Sequence, residues 1–371
     1  MIRAHKIRLY PNNKQVTYFS KACGVARFAY NWALSEWIRQ YEAGEKVNEG
    51  ILRKQLNAIK KEQFPWMLEV SKCAPQLAIK NNLNNAFKNF FRGLKQQANI
   101  GYPKFHKKGV NDSFSLSNDQ FKIDKQFIRI PKLGGVRLSE MLRFDGKIIG
   151  ATISRKANIW YVSIQVELPE EILPTSESQA VGVDLGIKCL ATLSNGTSIV
   201  GSKSSRKYEK KLRRLNQSLS RKIGSKKGEE KSRNFMKTKL SLSKIYLKIS
   251  NLRSDETHKL TTMLTEQFNV IGIEDLNVKG MMSNHKLARS VADMSFFEFR
   301  RQLEYKSAGR GSKIVVADRW YPSSKLCNVC GEKVEELPLN VRDWECKHCG
   351  THHDRDVNAA INLRNYAVQH V

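Results

Sequence analysis

Apolar residues recur along this chain with two periods, and the switches between them mark its parts. Residues 2–10 alternate like a short strand. From there Val16, Phe19, Cys23, Ala26, Tyr30, Ala33, Trp37 and Tyr41 fall at steps of three and four, one stripe of a long helix. A second stripe, Ile79, Leu83, Phe87, Phe90 and Leu94, predicts further helix. Lys72, Lys80, Lys88, Arg92 and Lys95 give this helical module a basic outer face. Cys23 and Cys73 read as buried apolar residues. Beyond a basic, aromatic loop from Tyr102 to Gly109 the period falls to two. Ile128 and Ile130 flank Arg129, and Trp160, Val162, Ile164 and Val166 alternate with polar residues. With Lys156-Ala157-Asn158 as a turn, this predicts antiparallel hairpins in a small β-barrel or sandwich, completed by the first strand. Pro169, Pro174 and Thr175–Ser178 read as a linker.

The pattern after Ala180 is different again. Val181-Gly182-Val183-Asp184 is a short apolar strand ending in a carboxylate, with a second strand through Leu190 to Leu193 and a turn at Asn195-Gly196. Phe268 to Ile273 forms another apolar strand, ending at Glu274, and Ile314-Val315-Val316 repeats the theme. A closing helix is expected from about Val357. Between these strands, residues 203–253 hold eighteen Lys and Arg against three Glu. Leu212, Leu215, Leu219 and Ile223, then Ile245, Ile249 and Leu252, keep helical spacing there. A pair of helices with so one-sided a charge reads as a phosphate-tracking surface, with Arg213 and Arg214 on it.

Charge enlarges that reading to the whole chain. Its 371 residues carry 64 Lys and Arg against 35 Asp and Glu, a formal charge of +29. Nucleic acid is the expected partner, because each neutralised phosphate releases a condensed counterion; an acidic membrane surface is the rival. No apolar run reaches 18 residues, so no transmembrane helix is expected. The opening MIRAHKIRLYP lacks the apolar stretch of a signal peptide. A cytosolic location follows as an expectation, and there the seven cysteines belong to metal chemistry or packing and not to disulfides.

Four of the seven fall in a pattern. Cys327-x-x-Cys330 and Cys346-x-x-Cys349 are fifteen residues apart, each pair followed by glycine, Gly331 and Gly350. Two such knuckles supply the four thiolates that Zn²⁺ favours in a closed tetrahedral site; an iron–sulfur site is the alternative. With four sulfurs bound, no position remains for catalytic water, so this zinc is structural. Trp344 reads as core beside it. Asp184, Glu274 and a C-terminal Asp stand at the ends of apolar strands or the start of a helix. Carboxylates so gathered repel one another unless cations sit among them. Two Mg²⁺ ions between them can activate water for phosphodiester cleavage. The order strand-Asp, strand, later strand-Glu, helix-Asp is that of a ribonuclease-H-like fold. For the third acid, Asp354 and Asp356 compete, Asp354 being also a plausible helix N-cap.

The chain resembles the TnpB family, transposon-encoded RNA-guided nucleases related to type V CRISPR effectors. The resemblance rests on Gly182-Val183-Asp184-Leu185-Gly186-Ile187-Lys188, Gly272-Ile273-Glu274-Asp275-Leu276, Pro322-Ser323-Ser324-x-x-Cys327 and His353-Asp354-Arg355-Asp356-Val357-Asn358-Ala359-Ala360. Pro131–Gly135 and Phe87–Phe91 are similar too. It implies a wedge β-barrel over 1–12 and 101–176, with a helical recognition lobe, 13–100, inserted in it. A RuvC-like nuclease domain over 177–321 and 351–371 would follow, with a zinc ribbon at 322–350. It implies Asp184, Glu274 and Asp356 as catalytic, Mg²⁺-holding acids, and an RNA from the transposon end as guide for cutting double-stranded DNA beside a short flanking motif. Base pairing then reads sequence while the protein holds backbone and shape. Lys72 and Gln76 match a family region facing the flanking DNA, and Lys104 and Lys107 join them as expected nucleic-acid contacts. The expected assembly is one protein with one RNA. A nuclease-inactive RNA-guided regulator, a ribonuclease-H-like transposase and a plain zinc-ribbon DNA-binding protein are the competing functions.

Overall fold

The structure is a computed structural model and describes residues 1–97, 100–169, 179–222, 231–338 and 340–371. The chain folds as two compact units, Met1–Glu170 and Glu171–Val371, and each is described by itself.

The first unit opens with strand β1 (Ile2–Tyr10), in which His5, Ile7 and Leu9 point inward and Lys6, Arg8 and Tyr10 outward. Asn12 ends the strand and caps helix α1 (Asn13–Glu42) in a reciprocal box. Its side chain accepts from the Gln15 amide at 3.0 Å, and the Gln15 side chain accepts from the Asn12 amide at 3.0 Å, which satisfies two of the donors a helix start leaves open. Helices α2 (Glu49–Ile59), α3 (Cys73–Leu77) and α4 (Asn84–Lys95) follow. A π-helical turn, Ala78–Leu83, joins the last two, so the second apolar stripe is a broken helix and not a single one. Cys23 and Cys73 are buried as expected. Tyr41 and Leu94, the last positions of the two stripes, are exposed. Trp37 stacks on Phe87 at 4.0 Å, and Leu94 lies seven residues beyond that stack.

The rest of the unit is strand: β2 (Ser113–Ser117), β3 (Lys122–Asp124), β4 (Phe127–Ile130), β5 (Gly134–Leu138), β6 (Lys147–Lys156) and β7 (Ile159–Glu167). With β1 they form one antiparallel seven-stranded sheet, ordered β2-β6-β7-β1-β5-β4-β3. The first strand completes this sheet from its centre, and the helices are inserted between β1 and β2. Ala157 and Asn158 both take left-handed backbone, φ +48 and +62, the two-residue hairpin turn that matches strand twist. Phe19 of α1 packs on Trp160 of β7, ring centres 5.1 Å apart. Of the expected linker only Pro169 is described; Pro174 and Thr175–Ser178 lie outside the described residues.

The second unit is built on strands β8 (Ala180–Asp184), β9 (Ala191–Leu193) and β10 (Ser198–Ile199), then β11 (Val270–Glu274) and β12 (Lys313–Ala317), in the order β10-β9-β8-β11-β12. The Asn195-Gly196 turn joins β9 to β10. β8, β11 and β12 are parallel, while β9 and β10 run antiparallel. Between the two halves lie α5 (Ser204–Lys207), α6 (Glu209–Ser220) and α7 (Arg233–Gln267); Ile223 is outside the described residues. α8 (Val278–Ser283), α9 (Ala288–Met294) and α10 (Phe296–Ala308) precede β12. A small hairpin of β13 (Asp343–Glu345) and β14 (His352–Asp354) leads into α11 (Arg355–Gln369). Val183 and Ile273 share a core with Leu260 and Leu264 of α7 and Phe299 and Leu303 of α10. One face of the parallel strands is therefore closed by those helices, and α11 packs on β8 and β11. Among the described residues no helix is long and apolar enough to cross a membrane.

Candidate carboxylate and thiolate sites

Alternation places Gly182 and Asp184 on one face of β8, and Gly272 and Glu274 on the same face of β11. The two glycines are register partners, Gly182 opposite Gly272. That is where α11 crosses. A Cβ on Gly182 would stand 1.8 Å from the Ala360 carbonyl oxygen, and one on Gly272 2.3 Å from that of Leu363. Only glycine at both positions lets the helix backbone lie on the strand backbones. The close crossing sets α11 with its first turn at the strands' carboxyl ends, so Asp356 arrives beside Asp184.

Asp184 feels both of the other carboxylates. Burial, then Glu274 and Asp356, push the Asp184 carboxyl well above the usual range, with Arg355 and Arg342 pulling it back. Burial also raises Glu274, opposed by the Ser323 hydroxyl, which donates to its Oε1, and by Arg355. Arg342 Nη1 meets Asp356 Oδ1 at 2.8 Å. Asp354, the competing acid, is spent on the helix: its Oδ1 accepts from the Val357 amide at 2.8 Å, as an N-cap does. Three hard oxygen donors, all half-buried, fit a divalent cation such as Mg²⁺.

The same helix also anchors the cysteine knuckles. Asn358 and Asn362, one turn apart and buried, both donate to the Leu326 carbonyl, at 2.8 and 2.6 Å, and Asn362 also to that of Ser323 at 2.8 Å. Arg355 donates to the Pro338 carbonyl at 2.8 Å. The knuckles are near copies. Gly331 and Gly350, at φ +77 and +70, return their amides to the carbonyls of Cys327 and Cys346 at 2.9 and 2.8 Å. The amides of those two cysteines bond in turn to the carbonyls of Glu332 and Thr351, each five residues on. The sulfurs of Cys327, Cys330, Cys346 and Cys349 all lie within 4.8 Å of one another, a donor set and spacing that fit one Zn²⁺. Trp344 is buried against this group, as expected. His353 Nε2 also reaches Cys327 Sγ at 3.1 Å, a partner the cysteine spacing gave no sign of. Among the described residues this quartet is the one group of three or more such ligands so tightly gathered; the carboxylates stand further apart.

Of the expected nucleic-acid residues, Lys72, Gln76, Lys104 and Lys107 lie in the first unit and Arg213 and Arg214 in the second. Lys72, Lys104, Lys107, Arg213 and Arg214 are exposed, while Gln76 is half-buried and donates to Asn57 Oδ1 at 2.8 Å. Among the described residues of the basic segment, Arg253 alone pairs with a carboxylate, Asp293 at 2.6 Å. Gly182, Gly272, Ser323 and Asn358 lie within the sequence motifs with no role attached to them, and Arg342 and Asn362 lie outside those motifs. The paired glycines, each two residues before a strand-end acid, were the one signal available.

This combination defines a class: a chain with the fold of a small type V CRISPR effector. A solved structure of the "Cas12f1-sgRNA-target DNA complex" superposes with a TM-score of 0.58 at 12% identity, over 98% of this chain and 99% of that one. Profiles match for a Cas12f1-like TNB domain at residues 296–363, for a "Probable transposase" of the IS605 OrfB type at 163–285, and for a helix-turn-helix domain at 1–46. That last segment holds β1 and the single helix α1. Two bacterial relatives align with nearly all of this chain. One from Streptomyces pristinaespiralis, named "Putative RNA-guided DNA endonuclease", is 36% identical over 97% of this chain and 88% of its own. InsQ of Escherichia coli K12, named likewise, is 33% identical over 98% and 91%. The chain belongs to the TnpB family of IS605-type transposons.

Proposed function

We propose that this chain is a transposon-encoded, RNA-guided DNA endonuclease that hydrolyses target DNA beside a short flanking motif. The observation that carries it is the placing of Glu274 and Asp356 about Asp184, at the ends of two parallel strands and the start of a helix. A strand order with antiparallel β9 and β10 beside parallel β8, β11 and β12 supports a RuvC-like, ribonuclease-H-like nuclease domain over 177–321 and 351–371, with the zinc ribbon at 322–350. The inserted helices support a recognition lobe over 13–100 within a wedge β-barrel of 1–12 and 101–176.

In this reading Asp184, Glu274 and Asp356 would hold two Mg²⁺ ions, whose chemistry would be the activation of water and the stabilisation of the leaving oxygen. Ser323 orients Glu274 by donating to its Oε1. Arg342 occupies Asp356 and stands where a phosphate could take over its guanidinium. The partners are one RNA from the transposon end and a double-stranded DNA target, read as one protein with one RNA in a prokaryotic cytoplasm. Lys72, Gln76, Lys104, Lys107, Arg213 and Arg214 are proposed contacts to these nucleic acids. The names of the bacterial relatives and the nucleic acids in the Cas12f1 complex support these partners.

The test uses the full chain with its copurifying RNA. Asp184→Ala, Glu274→Ala and Asp356→Ala should each abolish Mg²⁺-dependent cleavage while binding of RNA and target persists. Cleavage surviving in any of the three would remove that residue from the proposed machinery.

A further inference from the structure

From Val70 to Asn111 the chain has no acidic residue and eight Lys and Arg. Within that stretch, apolar side chains stand in solvent on α4 and the loop after it: Phe91 is 45% exposed, Tyr102 43% and Phe105 52%. Lys88, Arg92, Lys104 and Lys107, all exposed, are interleaved with them. Bare aromatics are ordinary on a mobile loop, but this backbone is tied down. Asn31 of α1 donates to the His106 carbonyl at 3.0 Å and accepts from the His106 amide at 2.7 Å. The His106 ring stacks on buried Tyr30 at 3.7 Å, nearly parallel. Tyr102 packs edge-on against Phe87 and Phe90. Phe105, by contrast, meets no other ring among the described residues.

We infer that the exposed rings of α4 and the 102–105 segment form a stacking platform for unpaired bases of the bound RNA. This inference rests on the proposed RNA partnership. The charge selects the occupant. A second copy would set one acid-free surface against another, and a membrane surface offers phosphates but no flat faces to stack on the rings. A phosphate backbone satisfies the cations while its bases cover the rings. Folded RNA offers unpaired bases to such surfaces, whereas duplex DNA hides its base faces until it is unwound.

The test compares wild-type protein with Phe105→Ala and with Phe91→Ala/Phe105→Ala, both of which leave in place Tyr102 and its edge contacts to Phe87 and Phe90. The probe is the copurifying RNA, transcribed in vitro with 4-thiouridine and titrated over a range of salt. Each ring removed should weaken binding about fivefold or more, while the slope of log affinity against log salt stays unchanged, because a neutral ring releases no counterion. Lys104→Gln/Lys107→Gln should instead flatten the slope. Phe105→Tyr should restore affinity and Phe105→Leu should not. Irradiation should cross-link the RNA to the Phe105 peptide before any DNA is added. Unchanged affinity in the ring variants, rescue by leucine, cross-links that require target DNA, or a change in oligomeric mass would each overturn the platform. Failure of wild-type protein to bind RNA would overturn the functional reading on which it rests.

Discussion

Gly182 and Gly272 are the residues on which the carboxylate site depends without either touching it. A methyl group at Gly182 collides with backbone, the 1.8 Å approach to the Ala360 carbonyl, and backbone cannot rotate away as a side chain can. Gly182→Ala should therefore lie at the upper end of the roughly 1–3 kcal/mol range for overpacking, read by denaturant titration, and should lower cleavage by displacing Asp356. Stability and activity both at wild-type level would show that α11 does not need the close crossing. Asp354 and Asp356 separate by role. Asp354→Ala should cost about 1 kcal/mol, the usual loss of an N-cap, and keep substantial cleavage, whereas Asp356→Ala should keep the fold and lose cleavage. The opposite pattern would exchange the two acids. Asp184 also gives a pH signature. Burial, with Glu274 and Asp356 behind it and Arg355 and Arg342 opposing, raises its folded pKa above the unfolded value of 3.8. Over that window the folded state binds more protons than the unfolded one, so this site's contribution to stability falls as pH rises. Metal-free Asp184→Asn should melt higher than wild type at neutral pH, and the gain should shrink toward pH 4. A destabilised Asn variant at neutral pH would show that the carboxylate is already compensated.

At the scale of elements, α11 and the knuckles share one set of bonds. Asn358 and Asn362 hold the carbonyls entering the first knuckle, and Arg355 holds the loop before the second. Losing the metal should therefore loosen the start of the helix that carries Asp356. Cys327→Ser should lower zinc content from about one per chain and lower thermal stability, since metal binding is part of the folding free energy. Iron in place of zinc, or a fully stable metal-free chain, would contradict this. The sequence displayed these elements unevenly. β8 and β11 were plain because buried parallel strands read as short apolar runs, and the knuckles because spacing and glycine fix their chemistry. The break between α3 and α4 was hidden, since a π-helical turn disturbs apolar spacing by a single residue. The glycine crossing was hidden as well: its reason lies in Ala360 and Leu363, far along the chain. Ser323 and Arg342 sit in loops, where no periodicity marks a side chain.

Taken as a whole, the molecule is a polycation with an excess of 29 charges and little internal use for them along α6 and α7. Removing two charges there, Arg213→Ala with Arg214→Ala, should reduce the salt slope of RNA binding by roughly 1.5, since each phosphate neutralised contributes about 0.7–0.9, and leave the melting temperature unchanged. An unchanged slope would take these helices out of the binding surface. The central claim is that RNA bound by this chain chooses where its three carboxylates cut DNA. It is tested most directly by replacing the guide segment of the copurifying RNA and mapping cuts on a plasmid that carries matches to both the old and the new segment, each beside the same flanking motif. The account predicts that cleavage moves wholly to the new match, requires Mg²⁺, and vanishes with Asp184→Ala. Cuts that stay at the old match, or that fall without regard to the RNA, would contradict it.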